Sequence, residues 1–458
     1  VIATDHALLR KYNVPGPRYT SYPTVPYWDT SPTETQWLEH LGTALDSDAA
    51  RHGAGAGLYV HIPFCRSMCT YCGCNMRVTR NHALVMPYVQ DVLAEFAMYR
   101  SRLGMGPLRL GELHFGGGTP TFLDVAELDA LCEGLLSQVT LAPGASLSVE
   151  VDPRTTSRGQ LALLARHGFN RISLGVQDFD PRVQDIVNRV QSEAQVREVT
   201  ETARELGFAS VNYDLIYGLP LQTADSIAAT MDAVLRLGPD RIAFYAYAHV
   251  PWIKPSQRRF TEADLPEGEA KRALYELGRD RLQAAGYTEI GMDHFARRGD
   301  DLLAAVHDGR LHRNFMGYTA LRTEPLFGLG VSSIGDAGTA FAQNEKNLQA
   351  WESRVRQGEL PLQRGHVLDA EDRVLRRHVL NVMTRMQTDW SDSADYTPFL
   401  EGVAARLAEP ARDGLVELLP RGVRVPEAGR SVLRNLCMAF DARLVRKAPA
   451  TQIFSSTV

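Results

Sequence analysis

A chain of 458 residues with 44 % hydrophobic and 22 % charged residues can bury a full core and a second, smaller unit, which excludes a disordered protein. Its formal net charge of −5 offers no general attraction for nucleic acid or anionic lipid. Only five of the 49 basic residues are lysines, which reflects base composition and carries no functional weight; no apolar run reaches the length of a membrane span and the charged opening segment through Lys11 does not suit a secretion signal, so a cytoplasmic protein is expected, and a monomer is the expected state.

Residues 1–50 read as an arm rather than a domain. A short charged helix leads into Pro15-Gly-Pro-Arg-Tyr-Thr-Ser-Tyr-Pro23, which cannot form regular helix, and a helix follows from Thr33 to about Asp46. From Leu58 a rhythm sets in: apolar runs at 58–64, 112–115, 147–151, 171–176, 211–216 and 241–247 alternate with helical patterns. Asp124, Ser157, Ser192 and either Thr223 or Asp225 are placed to open the intervening helices, and Gly168, Gly207 and Gly238 to stop three of them. Such βα repeats predict a parallel sheet wrapped by helices, as an open doubly wound sheet or as a barrel.

The unusual residues gather towards the carboxyl ends of these strands, where parallel α/β folds build their sites. Cys65-Arg-Ser-Met-Cys69-Thr-Tyr71-Cys72-Gly-Cys74 follows the first strand and Gly116-Gly-Gly-Thr-Pro120 the second. Glu150 and Asp152 close the third, Gln177 and Asp178 the fourth, Asp214 sits in the fifth, and Ala248 and His249 end the sixth. Four of the six cysteines fall in the first of these loops, and thiolates so close in sequence suit one soft metal centre. A zinc knuckle would want a second ligand pair downstream, and a disulfide framework suits small secreted domains. A [4Fe–4S] cluster remains, and with three thiolates one iron is left open.

Residues 249–345 continue the same unit irregularly and carry Gly291-Met-Asp-His294 and His312-Arg-Asn-Phe315. Beyond about Gly365 helices at 371–386 and 396–411 precede a hairpin at 414–426 that turns at 420–422, and a last helix holds Cys437. That order suggests a winged-helix-like unit, and the acidic overall charge favours a packing role over DNA binding. The expected division is 1–50 arm, 51–365 catalytic domain and 366–458 helical domain.

C-x3-C-x2-C with Tyr71 before its last cysteine, coupled to the glycine triplet one strand later, resembles the radical S-adenosylmethionine (SAM) superfamily. The resemblance implies a partial (βα)6 barrel with a [4Fe–4S] cluster on Cys65, Cys69 and Cys72 at its open top, and SAM on the unique iron; Cys74 would stand beside the cluster. Tyr19-Thr-Ser-Tyr-Pro-Thr24, Cys72-Gly-Cys-Asn75, Ser173-Leu-Gly-Val-Gln-Asp-Phe179, Asp214-Leu-Ile-Tyr-Gly-Leu-Pro220, Gly291-Met-Asp-His-Phe-Ala-Arg297, His312-Arg-Asn-Phe315 and Arg434-Asn-Leu-Cys-Met438 narrow the likeness. Together they resemble the oxygen-independent coproporphyrinogen III oxidases along essentially the whole chain. The related haem chaperones are the alternative; Cys74 and the long arm side with the oxidases.

Carried over by residue, the resemblance implies that Tyr59, Gly117, Glu150 and Ile334 line the SAM bound to the cluster. Tyr71, Gly118, Thr119, Gln177, Arg189, Asp214 and Ala248 would serve a second SAM position. It implies oxidative decarboxylation of two propionates of coproporphyrinogen III to vinyl groups, giving protoporphyrinogen IX, with an electron donor and an acceptor that the residues do not identify. Met316 departs from the family, where Gln is familiar, and so does Met383-Thr-Arg-Met-Gln387. The arm, with Tyr19, Tyr22 and Tyr27, and the loop around Phe315 are expected to wall the substrate cavity opposite the cluster, with Arg313 suited to a propionate.

Overall fold

Strand β1 (Ala56–Ile62) is buried at every residue but Tyr59, as a strand covered on both faces must be. The structure, a computed structural model, describes residues 6–252, 254–447, 454, 455 and 457, so the first five residues of the expected N-terminal helix lie outside the described residues. Beyond β1 come β2 (Leu108–Gly117), β3 (Val139–Val151), β4 (Arg171–Gln177), β5 (Ser210–Tyr217) and β6 (Arg241–Ala246), each pairing in parallel with its predecessor. Strands thus lie side by side in chain order and every crossover winds the same way, which is the winding of a barrel and not that of a doubly wound sheet.

The helices between them start where the capping chemistry dictates. Asp124, Ser157, Ser192 and Thr223 each accept from the backbone three residues on, while the side chain there reaches back, a reciprocal pair that satisfies two otherwise orphaned amides. Thr223, not Asp225, is therefore the cap of the last. That helix, Ala224–Leu237, ends at Gly238 in the left-handed region (φ +60°), where a Cβ would be strained.

The barrel does not close. After β6 the chain adds β7 (Tyr287–Gly291) and β8 (His294–Arg297), and β8 joins β6 antiparallel. On the other side β9 (Leu326–Leu329) lies parallel to β1 and continues through β10 (Ile334–Asp336), β11 (Ala340–Asn344) and β12 (Leu362–Val367). The sheet order β12-β11-β10-β9-β1-β2-β3-β4-β5-β6-β8-β7 leaves two different edges, so this is a partial barrel. Among the described residues no helix is long and apolar enough to cross a membrane.

A second apolar core belongs to the C-terminal region. Helix Ala370–Arg385, helix Leu433–Met438 with buried Cys437, and a small sheet of Gln387–Asp389, Gly422–Arg424 and Glu417–Leu419 enclose it. The hairpin turns as expected, with Leu419 opposite Gly422. The helix expected at 396–411 is instead three short pieces, Pro398–Gly402, Val403–Arg406 and Ala408–Arg412. Pro410 has no N–H to give the Arg406 carbonyl and its ring would collide with that turn, so one helix stops at Arg406 and the next begins at Ala408, with Pro410 in its first turn.

The arm departs from expectation more sharply. Tyr19 and Tyr22, each 2 % exposed, enter this C-terminal core rather than the cavity of the barrel. Tyr19 Oη donates to Asp441 Oδ2 (3.0 Å), and the Ala442 amide donates to Tyr22 Oη (3.1 Å). The physical reason is partner availability: a phenol that buries its ring also needs a polar partner for its hydroxyl, and the Asp441–Ala442 turn offers both. Tyr22→Ala should therefore lower stability by about 3 kcal/mol in urea denaturation, and Tyr22→Phe by about 1 kcal/mol. An unchanged midpoint for Tyr22→Ala would mean that the arm is only a surface strap.

Candidate active site

The cysteine loop leaves the end of β1 through Ile62-Pro-Phe64, and Phe64–Cys65 pairs in parallel with Arg77–Val78, which fixes where the loop begins. Its own turn is closed by the Cys72 amide donating to the Cys69 carbonyl (3.1 Å). The glycine triplet at the end of β2 lies directly against this exit. Gly118 N donates to Ile62 O (2.7 Å), and a Cβ on Gly118 would meet the Pro63 backbone at 2.8 Å. Gly117 (φ +111°) leaves no room either, since a Cβ would come within 2.7 Å of the His61 ring. Thr119 Oγ1 stands 3.4 Å from Cys65 Sγ.

These groups face a cavity of about 1000 Å3 enclosed by the strands. Its lining includes Cys65, Cys69 and Cys72, and of the residues expected to hold SAM it includes Tyr71, Gly117, Gly118, Thr119, Glu150, Gln177, Arg189, Asp214 and Ala248. Tyr59 and Ile334 stand outside that lining. Tyr59 pairs with Gly328 of β9, its hydroxyl meets His61 Nδ1 (3.0 Å), and Phe315 packs edge-on over its ring at 5.0 Å. The hairpin His312–Asn314/Gly317–Thr319 contributes Asn314, Met316 and Tyr318, so the Phe315 loop walls the cavity as expected while the arm's tyrosines do not.

The cavity's electrostatics are organised around two carboxylates. Burial works to raise Glu150, but His114 Nε2 (3.2 Å) and the Gly117 amide (3.1 Å) outweigh it and hold the carboxyl below its ordinary range. Asp152 behaves alike: burial opposes ionisation, and Arg189 and Arg154 overcome it. Arg189 Nη1 reaches both Asp152 Oδ2 (3.2 Å) and Cys69 Sγ (3.6 Å), and Arg154 Nη2 lies 3.8 Å from the same sulfur. Asp214 goes the other way: burial and then the charge of Glu150 push it up to about 6, although Ser173 and Asn212 each donate to it.

Four free thiols, Cys65, Cys69, Cys72 and Cys74, line one cavity, and Cys69 among them is flanked by two guanidiniums, a donor set fit for an iron–sulfur cluster. Burial lifts the Cys65 thiol to about 11, whereas the hydrogen bond from Cys74 draws Cys72 down to about 6. The glycine pair brings the end of β2 against the exit of the cysteine loop, with the Gly117 amide spent on Glu150 and the Gly118 amide on Ile62.

Three contributors were not singled out in the sequence. His114, which also meets Ser148 Oγ at 2.7 Å, shares the cavity face of β2 with Glu112, and that alternation was its one signal. Arg154 follows Asp152 by two residues, past the end of β3. Gln257, 1 % exposed, donates to the carbonyls of both Tyr71 and Ala248 (3.2 Å each) and so ties the cysteine loop to the end of the sixth repeat, from a 3-10 turn with no periodic pattern.

Comparison with known proteins gives this arrangement its lineage. Residues 59–234 match the Radical SAM superfamily. The oxygen-independent coproporphyrinogen III oxidase of Escherichia coli (strain K12) is 40 % identical over 456 residues, 98 % of this chain and 97 % of the relative. That of Pseudomonas aeruginosa is 38 % identical, covering 97 % and 96 %. A solved structure described as coproporphyrinogen III oxidase from Escherichia coli, a radical SAM enzyme, superposes with a TM-score of 0.89 at 38 % identity, covering 97 % of this chain and all of that one. Since the likeness runs through barrel, arm and C-terminal region alike, the chain belongs to the oxygen-independent coproporphyrinogen III oxidase family of the radical SAM superfamily.

Proposed function

We propose that this chain converts two propionate side chains of coproporphyrinogen III to vinyl groups, giving protoporphyrinogen IX. The observation that carries the reading is the end-to-end similarity to relatives named coproporphyrinogen III oxidase, combined with the cysteine loop lining the barrel cavity. The relatives' names favour this over haem carriage. Cys65, Cys69 and Cys72 would hold a [4Fe–4S] cluster, with Cys74 beside it. When bound, the reduced cluster and SAM supply a carbon radical that removes a hydrogen atom from the substrate.

The chain's own residues bind, orient and enclose. Ionised Glu150, fixed by His114 and the Gly117 amide, suits the ammonium or the ribose hydroxyls of SAM, and Tyr59 and Ile334 would back that position. Tyr71, Gly118, Thr119, Gln177, Arg189, Asp214 and Ala248 share one cavity and would serve a second SAM. Gln177 adopts left-handed backbone (φ +67°) where β4 shifts register, a conformation costly for a non-glycine residue and in keeping with a ligand-facing role. The barrel wall and the Phe315 loop exclude water and oxygen from the reacting carbon. The division into arm 1–50, catalytic domain 51–365 and helical domain 366–458 follows the two main apolar cores, with the arm contributing to both: Trp37, Leu41 and Ala44 to the first and Tyr12, Tyr19 and Tyr22 to the second.

Three outcomes are expected. Anaerobically reconstituted Cys69→Ala should retain no cluster by iron content and visible absorbance, and full iron would remove Cys69 from the ligand set. Glu150→Gln should weaken SAM binding about 10- to 100-fold in a titration of the reconstituted protein, because a charged hydrogen-bond acceptor is lost; unaltered affinity would place SAM elsewhere. Wild-type protein given dithionite, SAM and coproporphyrinogen III without oxygen should form vinyl products, whereas tight haem binding without a vinyl product would favour the chaperone.

A further inference from the structure

The hairpin that walls the cavity holds one cation that the protein does not pair. Arg313 is 7 % exposed, its Nε and Nη1 have no hydrogen-bond partner, and it forms no ion pair among the described residues. Its Nη2 makes a long contact of 3.4 Å to the carbonyl of Arg18. Arg18 in turn donates to the Ala246 carbonyl (3.0 Å) and has its own counter-charge in Asp293 (3.7 Å). The Arg313 guanidinium lies over the Tyr318 ring, 4.7 Å from its centroid. A ring face offsets only part of what a buried cation loses on leaving water, and buried charges are ordinarily paired.

The surroundings show what would pair it. Arg313 stands directly behind Tyr318, and Tyr318 and its own chain neighbour Asn314 line the cavity. So does His294, edge-on to Tyr318 at 5.1 Å, and its Nδ1 also has no partner. Burial, followed by the charge of Arg313, holds this imidazole down to about 3, so it is neutral at any working pH, and with Nε2 accepting from Tyr245 Oη (3.4 Å) its Nδ1 carries the N–H. A guanidinium over the face of Tyr318 and an imidazole at its edge thus each keep nitrogens without an acceptor, Arg313 behind the cavity lining and His294 within it.

We propose that Arg313 and His294 form a carboxylate-binding subsite where the cavity wall meets the arm, and that it takes a propionate of the porphyrinogen. The assignment of the ligand rests on the function proposed above. A planar fork matches a carboxylate in two parallel hydrogen bonds, and a substrate bearing propionates beyond the two that react needs its charges matched as it enters an enclosed site. The carboxylate of SAM has the same chemistry and is the competing source.

The full-length, reconstituted protein tests this through Arg313→Gln. KM for coproporphyrinogen III should rise about 30-fold, the scale expected for one lost partner of a buried charge pair, while the Kd of SAM read by spectroscopic titration stays at the wild-type value. A porphyrinogen KM within about twofold of wild type would overturn the subsite, and a shift confined to SAM would overturn its assignment to substrate. Should Arg313→Gln fail to fold, Arg313→Lys carries the same comparison, with a smaller rise expected because the charge remains and the fork is lost. A separate arm needs no turnover: coproporphyrin III should raise the melting temperature of the wild type and its tetramethyl ester should not, and equal shifts would overturn the proposal. Lack of vinyl product from the wild type would strike at the proposed function, whereas the thermal comparison reads the subsite whether or not turnover occurs.

Discussion

The parallel pairing of β1 with β2 is the constraint on which the site depends. It runs from Ala56 opposite Leu110 to Ile62 opposite Gly117, so the strand that launches the cysteine loop ends level with the strand that ends in glycines. At that level the Gly118 amide is donated back to Ile62, and there is no space for a Cβ at Gly117 or Gly118. A one-residue slip would turn the inward face of β2 outward and remove Glu112 and His114 from the cavity together. Thiols and glycine backbone meet because register leaves them no alternative.

From that contact the rest of the site follows by short links. The Gly117 amide steadies Glu150, His114 steadies it from the neighbouring strand, and Ser148 steadies His114. On the far side Arg189 joins Cys69 to Asp152, and Gln257 joins Tyr71 to Ala248. His114 and the Gly117 amide on one side, and Arg189 and Arg154 on the other, let Glu150 and Asp152 stay ionised where burial alone would protonate them.

Much of this was legible in the residues. The six strands and the caps of the helices between them could be read because hydrophobic period and capping chemistry are local. The cysteine spacing and the glycine triplet announced the site, and most residues transferred by resemblance do converge on one cavity. What could not be read was long-range partnership. Nothing near Tyr19 or Tyr22 says that they belong to the core around Cys437, some 400 residues away along the chain. Pro410, whose missing amide breaks the helix expected at 396–411, sits within an otherwise helical apolar period, so local pattern and backbone chemistry conflict there. His114, Arg154 and Gln257 act through partners on other repeats, so their roles appear only once the strands are in register.

In the proposed reaction this register would bring a cluster, SAM and a porphyrinogen propionate into one cavity, so that the propionate β-carbon would give its hydrogen atom to the 5′-deoxyadenosyl radical derived from SAM. The most direct measurement is isotopic: coproporphyrinogen III deuterated at the β-carbon of its propionates, turned over anaerobically with SAM. Deuterium in the 5′-deoxyadenosine formed, matched by vinyl product, is the result predicted. 5′-Deoxyadenosine free of that deuterium, with vinyl product still appearing, would contradict it.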